Sequence, residues 1–140
     1  KACLDAAGMI HSVDSLRLAE EINTRAAQVD LSAECLLEVN TSNESQKHGV
    51  AVGAATHLAE QICTLENLRL TGLMTMAPLT DDLDDARRCF VRLRELFEEI
   101  QTERIVGRDF RHLSMGMSND FEVAIEEGAT LVRVGTALFV

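Results

Sequence analysis

The chain has 140 residues, 46% of them apolar, which is enough for one hydrophobic core and one domain. Its formal net charge of −10 excludes a nucleic acid or an anionic membrane surface as a general partner, because both require a basic face. No apolar run reaches the length of a membrane span, and the four scattered cysteines, with no C-x-x-C pair, read as reduced thiols of a cytoplasmic protein.

The first strand is expected over Met9–Val13, with Asp14 and Ser15 as candidate N-caps for a helix from Leu16. Leu18, Ile22 and Ala26 lie on the apolar stripe of that helix, and Glu21 and Arg25 form an i,i+4 pair. Ala33–Asn40 is the second strand, followed by a polar loop to Gly49 and a helix near Ala54–Leu65 that turns Ala55, Leu58, Ala59 and Ile62 inward. Leu68–Met76 is the third strand, closed by Ala77-Pro78. The acids Asp81, Asp82, Asp84 and Asp85 precede the longest helix. Their placement suits the positive end of the helix dipole better than a metal site. The core face of that helix is read as Ala86, Phe90, Leu93, Phe97 and Ile100.

His112–Met117 is the fourth strand. Asn119 with Glu122 three residues later resembles a capping box, Phe121, Ala124 and Ile125 form the buried face of a short helix, and Gly128 stops it. Leu131–Phe139 is the fifth strand. Strands alternating with helices imply a parallel sheet with right-handed crossovers, either doubly wound or part of a (β/α)8 barrel. Neither a G-x-G-x-x-G nor a G-x-x-x-x-G-K-[ST] fingerprint is present.

The last two strands carry the parts of an anion site. Gly116 permits close backbone approach, Ser118 and Thr136 offer hydroxyls, Gly135 exposes its N–H, and the helix near Asn119 begins above Ser118. In barrels a phosphate often sits at the loops after the last two strands. Arg133 lies two residues before Gly135 and so shares its side of the sheet. Burial of an arginine is costly. Its partner is either an acid in the wall, such as Glu38, or a ring nitrogen or carboxylate of a ligand. Met74, Met76, Met115 and Met117 read as core filler, with one or two placed to line a flat ligand.

Ile10-His-Ser-Val-Asp-Ser15, Glu38-Val-Asn40 with Lys47-His-Gly49, Gly72-Leu-Met74, Leu113-Ser-Met-Gly-Met-Ser118 with Asp120, and Val132-Arg-Val-Gly-Thr-Ala-Leu-Phe139 together resemble the pyridoxal phosphate homeostasis protein family. These are single-domain relatives of the alanine racemase N-terminal barrel, and the match runs along essentially the whole chain. The resemblance implies an α/β fold, a partial (β/α)8 TIM-type barrel of five parallel strands alternating with helices. It implies a non-catalytic carrier of pyridoxal 5′-phosphate (PLP) with PLP-dependent apoenzymes as possible partners. It also implies that Ser118, Gly135 and Thr136 hold the phosphate, with backbone around Met117, and that Arg133 faces the pyridine nitrogen.

Family members are longer and begin with three further strands. The first carries an Ala-Val-Ser-Lys segment whose lysine forms the Schiff base, and the third a His-Phe-Ile-Gly segment. Neither occurs here, and the lysines are Lys1 and Lys47. The expectation is therefore the C-terminal five-eighths of one PLP-binding barrel domain over residues 1–140, doubtful in covalent attachment and prone to self-association through open sheet edges. Two other readings compete. One is a racemase- or decarboxylase-like PLP enzyme of the same barrel type, disfavoured by the lack of tyrosine. The other is an unrelated phosphate-binding barrel enzyme.

Overall fold

The computed structural model describes residues 2–42, 44–45 and 48–139. Lys1, Lys47 and Val140, which figure in the expectations above, lie outside the described residues, as do Asn43 and Gln46. The elements in chain order are α1 (Ala2–Ala6), β1 (Met9–Val13), α2 (Leu16–Gln28), β2 (Ala33–Asn40), β3 (Val50–Ala51), α3 (Val52–Cys63), β4 (Leu68–Met74), α4 (Leu83–Thr102), β5 (His112–Met117), α5 (Phe121–Glu126), β6 (Leu131–Arg133) and a 3-10 turn (Thr136–Leu138).

All strand pairs are parallel, in the order β1-β2-β4-β5-β6. The five expected strands form that path, and the two-residue β3 adds a sixth by pairing with the end of β2. Parallel neighbours joined through helices give an α/β half-barrel, with β1 and β6 as its edges.

Strand alternation splits the residues into two faces. Cys35, Leu37, Val39, Leu70, Leu73, Leu113 and Met115 join the core shared with the helices. α2 contributes Ala19 and Ile22, α3 contributes Ala55, Leu58, Ala59 and Ile62, and α4 contributes Ala86, Phe90, Leu93, Leu96 and Ile100. The opposite face carries Leu36, Glu38, Ser114 and Arg133. It is concave, because His11 on β1 reaches Ser114 on β5 at 2.9 Å although two strands separate them in the sheet.

Local signals explain the helix ends. The Ser15 hydroxyl accepts the Leu18 N–H at α2, and the Asp82 carboxylate accepts the Asp84 N–H at α4. Arg25 and Glu21 form the expected i,i+4 pair at 2.8 Å. Gly72 sits where β4 meets β5 so closely that a Cβ would lie 2.0 Å from the His112 carbonyl oxygen.

Several expectations are corrected. The buried stripe of α2 uses Ala19 in place of Leu18, which is 37% exposed. In α4, Leu96 takes the fully buried position, while Phe97 packs at the border and stacks on Phe110 with ring centroids 4.6 Å apart. α5 buries Val123 with Ala124 and leaves Ile125 55% exposed. The last strand ends at Arg133 and not at Phe139, because the chain turns into the 3-10 turn that brings its N–H groups to Ser118.

Candidate functional site at the ends of β5 and β6

The site is built by two chain reversals at the C-terminal ends of neighbouring strands. In β5, Gly116 has φ +97°, and a Cβ there would lie 2.6 Å from the Ala124 Cβ and 3.0 Å from the Phe121 Cα. A left-handed backbone and close approach both require glycine. The close approach that this glycine permits is to α5. With α5 seated on Gly116, the turn Met117–Asp120 is tight. The Asp120 N–H donates to the Met117 carbonyl at 3.1 Å, and the Met117 N–H donates to Asp120 Oδ1 at 2.6 Å.

The expected capping box at Asn119 does not form. The N-cap is Asp120, which makes no side-chain cap bond, its carboxylate being taken by Met117. Asp and Asn both compete for nearby backbone N–H groups, and the sequence pattern does not distinguish which N–H wins.

Ser118 projects from this turn toward β6. Its Oγ accepts the N–H of Gly135 at 3.2 Å and of Ala137 at 3.3 Å. The 3-10 turn is closed by Leu138 N–H to the Gly135 carbonyl and Phe139 N–H to the Thr136 carbonyl. Ser118, Gly135 and Thr136 therefore lie together, as the sequence implied. Gly135 and Thr136 are exposed, and nothing lies within 4 Å of where a Gly135 Cβ would stand. Two backbone N–H groups fill the acceptor side of the Ser118 hydroxyl, so its own proton is left to donate outward. Met117 is 46% exposed at the strand end, with its N–H committed to Asp120. Of the other strand-end methionines, Met115 and Met74 are core, and Met76 is exposed.

Arg133 lies deeper on the concave face. Its Nη1 donates to Ser114 Oγ at 2.6 Å and its Nη2 to the Thr75 carbonyl at 3.0 Å. Among the described residues no ion pair joins it to Glu38. The Glu38 carboxylate acts on it through the field, as does Asp120, and both favour the charged form that burial disfavours. Glu38 is only 4% exposed. Burial pushes its carboxyl above the usual range, the nearby Asp14 adds to this, and His48 and Arg133 pull the other way. Thr75 is fully buried and holds the strand ends together, donating to the Val39 carbonyl at 2.7 Å with Thr41 Oγ1 2.9 Å away.

His11, Ser114 and Thr75 are members of this site that the sequence reading missed. A signal existed. Ser114 interrupts an apolar strand on the same face as Gly116, and His11 does so in β1. Nothing in one sequence indicates that two non-adjacent strands face each other.

The donors present fit a phosphorylated aromatic ring. The Ser118 hydroxyl and the exposed turn at Gly135 and Thr136 stand open to an anion such as phosphate, with the Gly135 and Ala137 N–H groups bonded to Ser118 Oγ. Arg133, two residues and roughly 7 Å deeper along the chain, offers a guanidinium with three N–H groups beyond the two already bonded.

Comparison with known proteins agrees with this architecture. The family model for the alanine racemase N-terminal domain matches residues 1–140. The pyridoxal phosphate homeostasis protein of Aquifex aeolicus is 47% identical over 131 residues, covering 94% of this chain and 57% of that protein. The chain thus spans a little over half the length of such relatives. PipY of Synechococcus elongatus, solved with PLP bound, superposes with a TM-score of 0.87 at 32% identity, covering 99% of this chain and 63% of PipY. Alanine racemase from Corynebacterium glutamicum shares the fold, with a TM-score of 0.73 at 12% identity over 99% of this chain and 37% of that enzyme. From strand order, site geometry and these likenesses, the chain belongs to the alanine racemase N-terminal domain family.

Proposed function

We propose that this chain binds PLP as a non-catalytic carrier serving intracellular, cytoplasmic PLP homeostasis. The relatives named for that role and the PLP-bound PipY support the cofactor. The observation that carries the reading is the Ser118 hydroxyl, whose oxygen accepts the N–H groups of Gly135 and Ala137 and whose own proton is therefore left to donate. In this reading β1, β2, β4, β5 and β6 correspond to strands four to eight of a (β/α)8 barrel, and residues 1–140 are the C-terminal five-eighths of that one PLP-binding domain.

Bound PLP supplies an electron-withdrawing pyridine ring whose strength depends on protonation of the ring nitrogen. Ser118, Gly135 and Thr136, with backbone near Met117, hold the phosphate. Arg133 faces the ring nitrogen. A guanidinium has only donors and stays charged at every physiological pH, so it keeps that nitrogen an acceptor without a proton and weakens the ring as an electron sink. That choice suits a carrier better than a racemase or decarboxylase. PLP-dependent apoenzymes are the receiving partners in this reading.

The test is binding of PLP by calorimetry to Ser118→Ala and Thr136→Ala. Each is expected to weaken binding by about 1–3 kcal/mol, the range for a hydrogen bond to a charged group. Unchanged affinity in both would remove the phosphate assignment.

A further inference from the structure

We propose that His11 is a positioning residue of the cofactor site, accepting the Ser114 hydroxyl proton so that Ser114 Oγ can hold Arg133 in place for the ring nitrogen. The inference rests on the reading of Arg133 given above. It is carried by proton bookkeeping in a half-buried chain of hydrogen bonds. Arg133 has only donors, so Ser114 Oγ is the acceptor of the 2.6 Å bond from Nη1. Ser114 is fully buried, and its single hydroxyl proton needs an acceptor inside the protein. His11 Nδ1 lies 2.9 Å away. His11 is thereby neutral, with its own proton on Nε2.

The geometry makes this a relay across the sheet. His11 stands on β1, Ser114 on β5 and Arg133 on β6, and the guanidinium is fixed at its second end by the Thr75 carbonyl. Remove the acceptor, and Ser114 turns its proton toward another partner, leaving Nη1 without its oxygen lone pair. Protonate His11, and Nδ1 becomes a donor aimed at the same oxygen. Arg133 from β6 and His112 from β5 face His11. Both hold its pKa below the ordinary 6.5, with burial the larger cause. Glu38 on β2 bears on Arg133.

The experiment compares the full chain with His11→Leu, His11→Asn and Arg133→Leu, measuring the Kd of PLP and of inorganic phosphate from pH 5 to 8. The asparagine side chain in His11→Asn would place an amide oxygen near the position of Nδ1 and does not titrate. His11→Leu should weaken PLP about tenfold and leave inorganic phosphate unchanged, since phosphate is held at Ser118 and the 3-10 turn. His11→Asn should keep the neutral-pH affinity for PLP. Relative to this variant, the unsubstituted chain should lose affinity as pH falls through the lowered His11 value, a comparison in which the titration of PLP itself cancels. Nitrogen-15 spectra of the His11 ring should show the Nε2–H tautomer at pH 7, and Arg133→Leu should raise its pKa. A His11→Leu effect that is absent, or equal for PLP and phosphate, overturns the proposal, as does an Nδ1–H tautomer. If Arg133→Leu itself leaves PLP binding intact, the ring-nitrogen reading fails. If Arg133→Leu weakens PLP and His11→Leu does not, only the relay fails.

Discussion

Replacement of Gly116 by alanine tests whether the β5–α5 turn is what aims Ser118. Two costs follow from the structure. The backbone is at φ +97°, where a side chain adds about 1–2 kcal/mol of strain. The new Cβ would stand 2.6 Å from the Ala124 Cβ and 3.0 Å from the Phe121 Cα, and such overpacking costs about 1–3 kcal/mol. Together they amount to roughly 2–5 kcal/mol, a large share of a typical domain stability. Urea unfolding of the two proteins measures it. Relief should come through α5 moving off the strand, carrying Asp120 from the Met117 N–H and Ser118 from Gly135 and Ala137. PLP affinity should fall even where the variant is fully folded. Adding Ala124→Gly removes the Cβ–Cβ clash but neither the strain nor the Phe121 contact, so it should recover part of the stability lost at Gly116 in a double-mutant cycle. A stability change under about 1 kcal/mol with unaltered PLP binding would refute the reasoning.

Glu127→Gln removes the carboxylate that takes Nη1 of Arg87 and Nη1 of Arg94, each at 2.7 Å, and joins α4 to α5. A loss of stability at pH 7 is expected by chemical denaturation. The hydrogen bond from Arg87 above all holds the Glu127 pKa below its ordinary 4.5. Its contribution is therefore present above that value and disappears as pH falls through the lowered one, so the two proteins should converge in acid. Glu38→Gln has the opposite sign. Burial raises the Glu38 pKa above 4.5, so the native protein loses stability relative to the variant as pH rises from 4.5 through the folded value. Denaturation midpoints at pH 4 and 7 should show the variant gaining, and a parallel pH profile would contradict the assignment of Glu38 to a desolvated site. Gly72→Ala drives a Cβ to within 2.0 Å of the His112 carbonyl oxygen and should destabilise by about 3 kcal/mol or more. A near-native urea midpoint would show that β4 and β5 can separate at little cost.

The principal strands and long helices were legible because their burial repeats with the period of the element. Leu113 and Met115 alternate in β5, and Ala86, Phe90, Leu93 and Ile100 recur along α4. Where the period is ambiguous the reading slipped by one residue. Leu18 and Ala19 are adjacent on α2, and only packing against β2 and α3 decides between them. The apolar run Leu131–Phe139 looks like one strand, yet its last residues satisfy Ser118 instead of extending the ladder, leaving Leu138 and Phe139 exposed. The clustering of Ser118, Gly135 and Thr136 was legible as motif, since all three are close to strand ends in sequence. The Arg133 environment was not. Its partners Ser114 on β5 and Thr75 just past β4, and the histidine behind them on β1, are far apart in sequence, and only the curl of the sheet brings them together.

The central claim is that this chain recognises PLP through its phosphate and its ring nitrogen. Titration of the full chain with PLP and with pyridoxal, which lacks the phosphate, tests it most directly. The account predicts saturable PLP binding that inorganic phosphate competes away, much weaker pyridoxal binding, and loss of that preference in Ser118→Ala with Arg133→Leu weakening both ligands. Equal affinity for PLP and pyridoxal, or PLP binding indifferent to both substitutions, would contradict it.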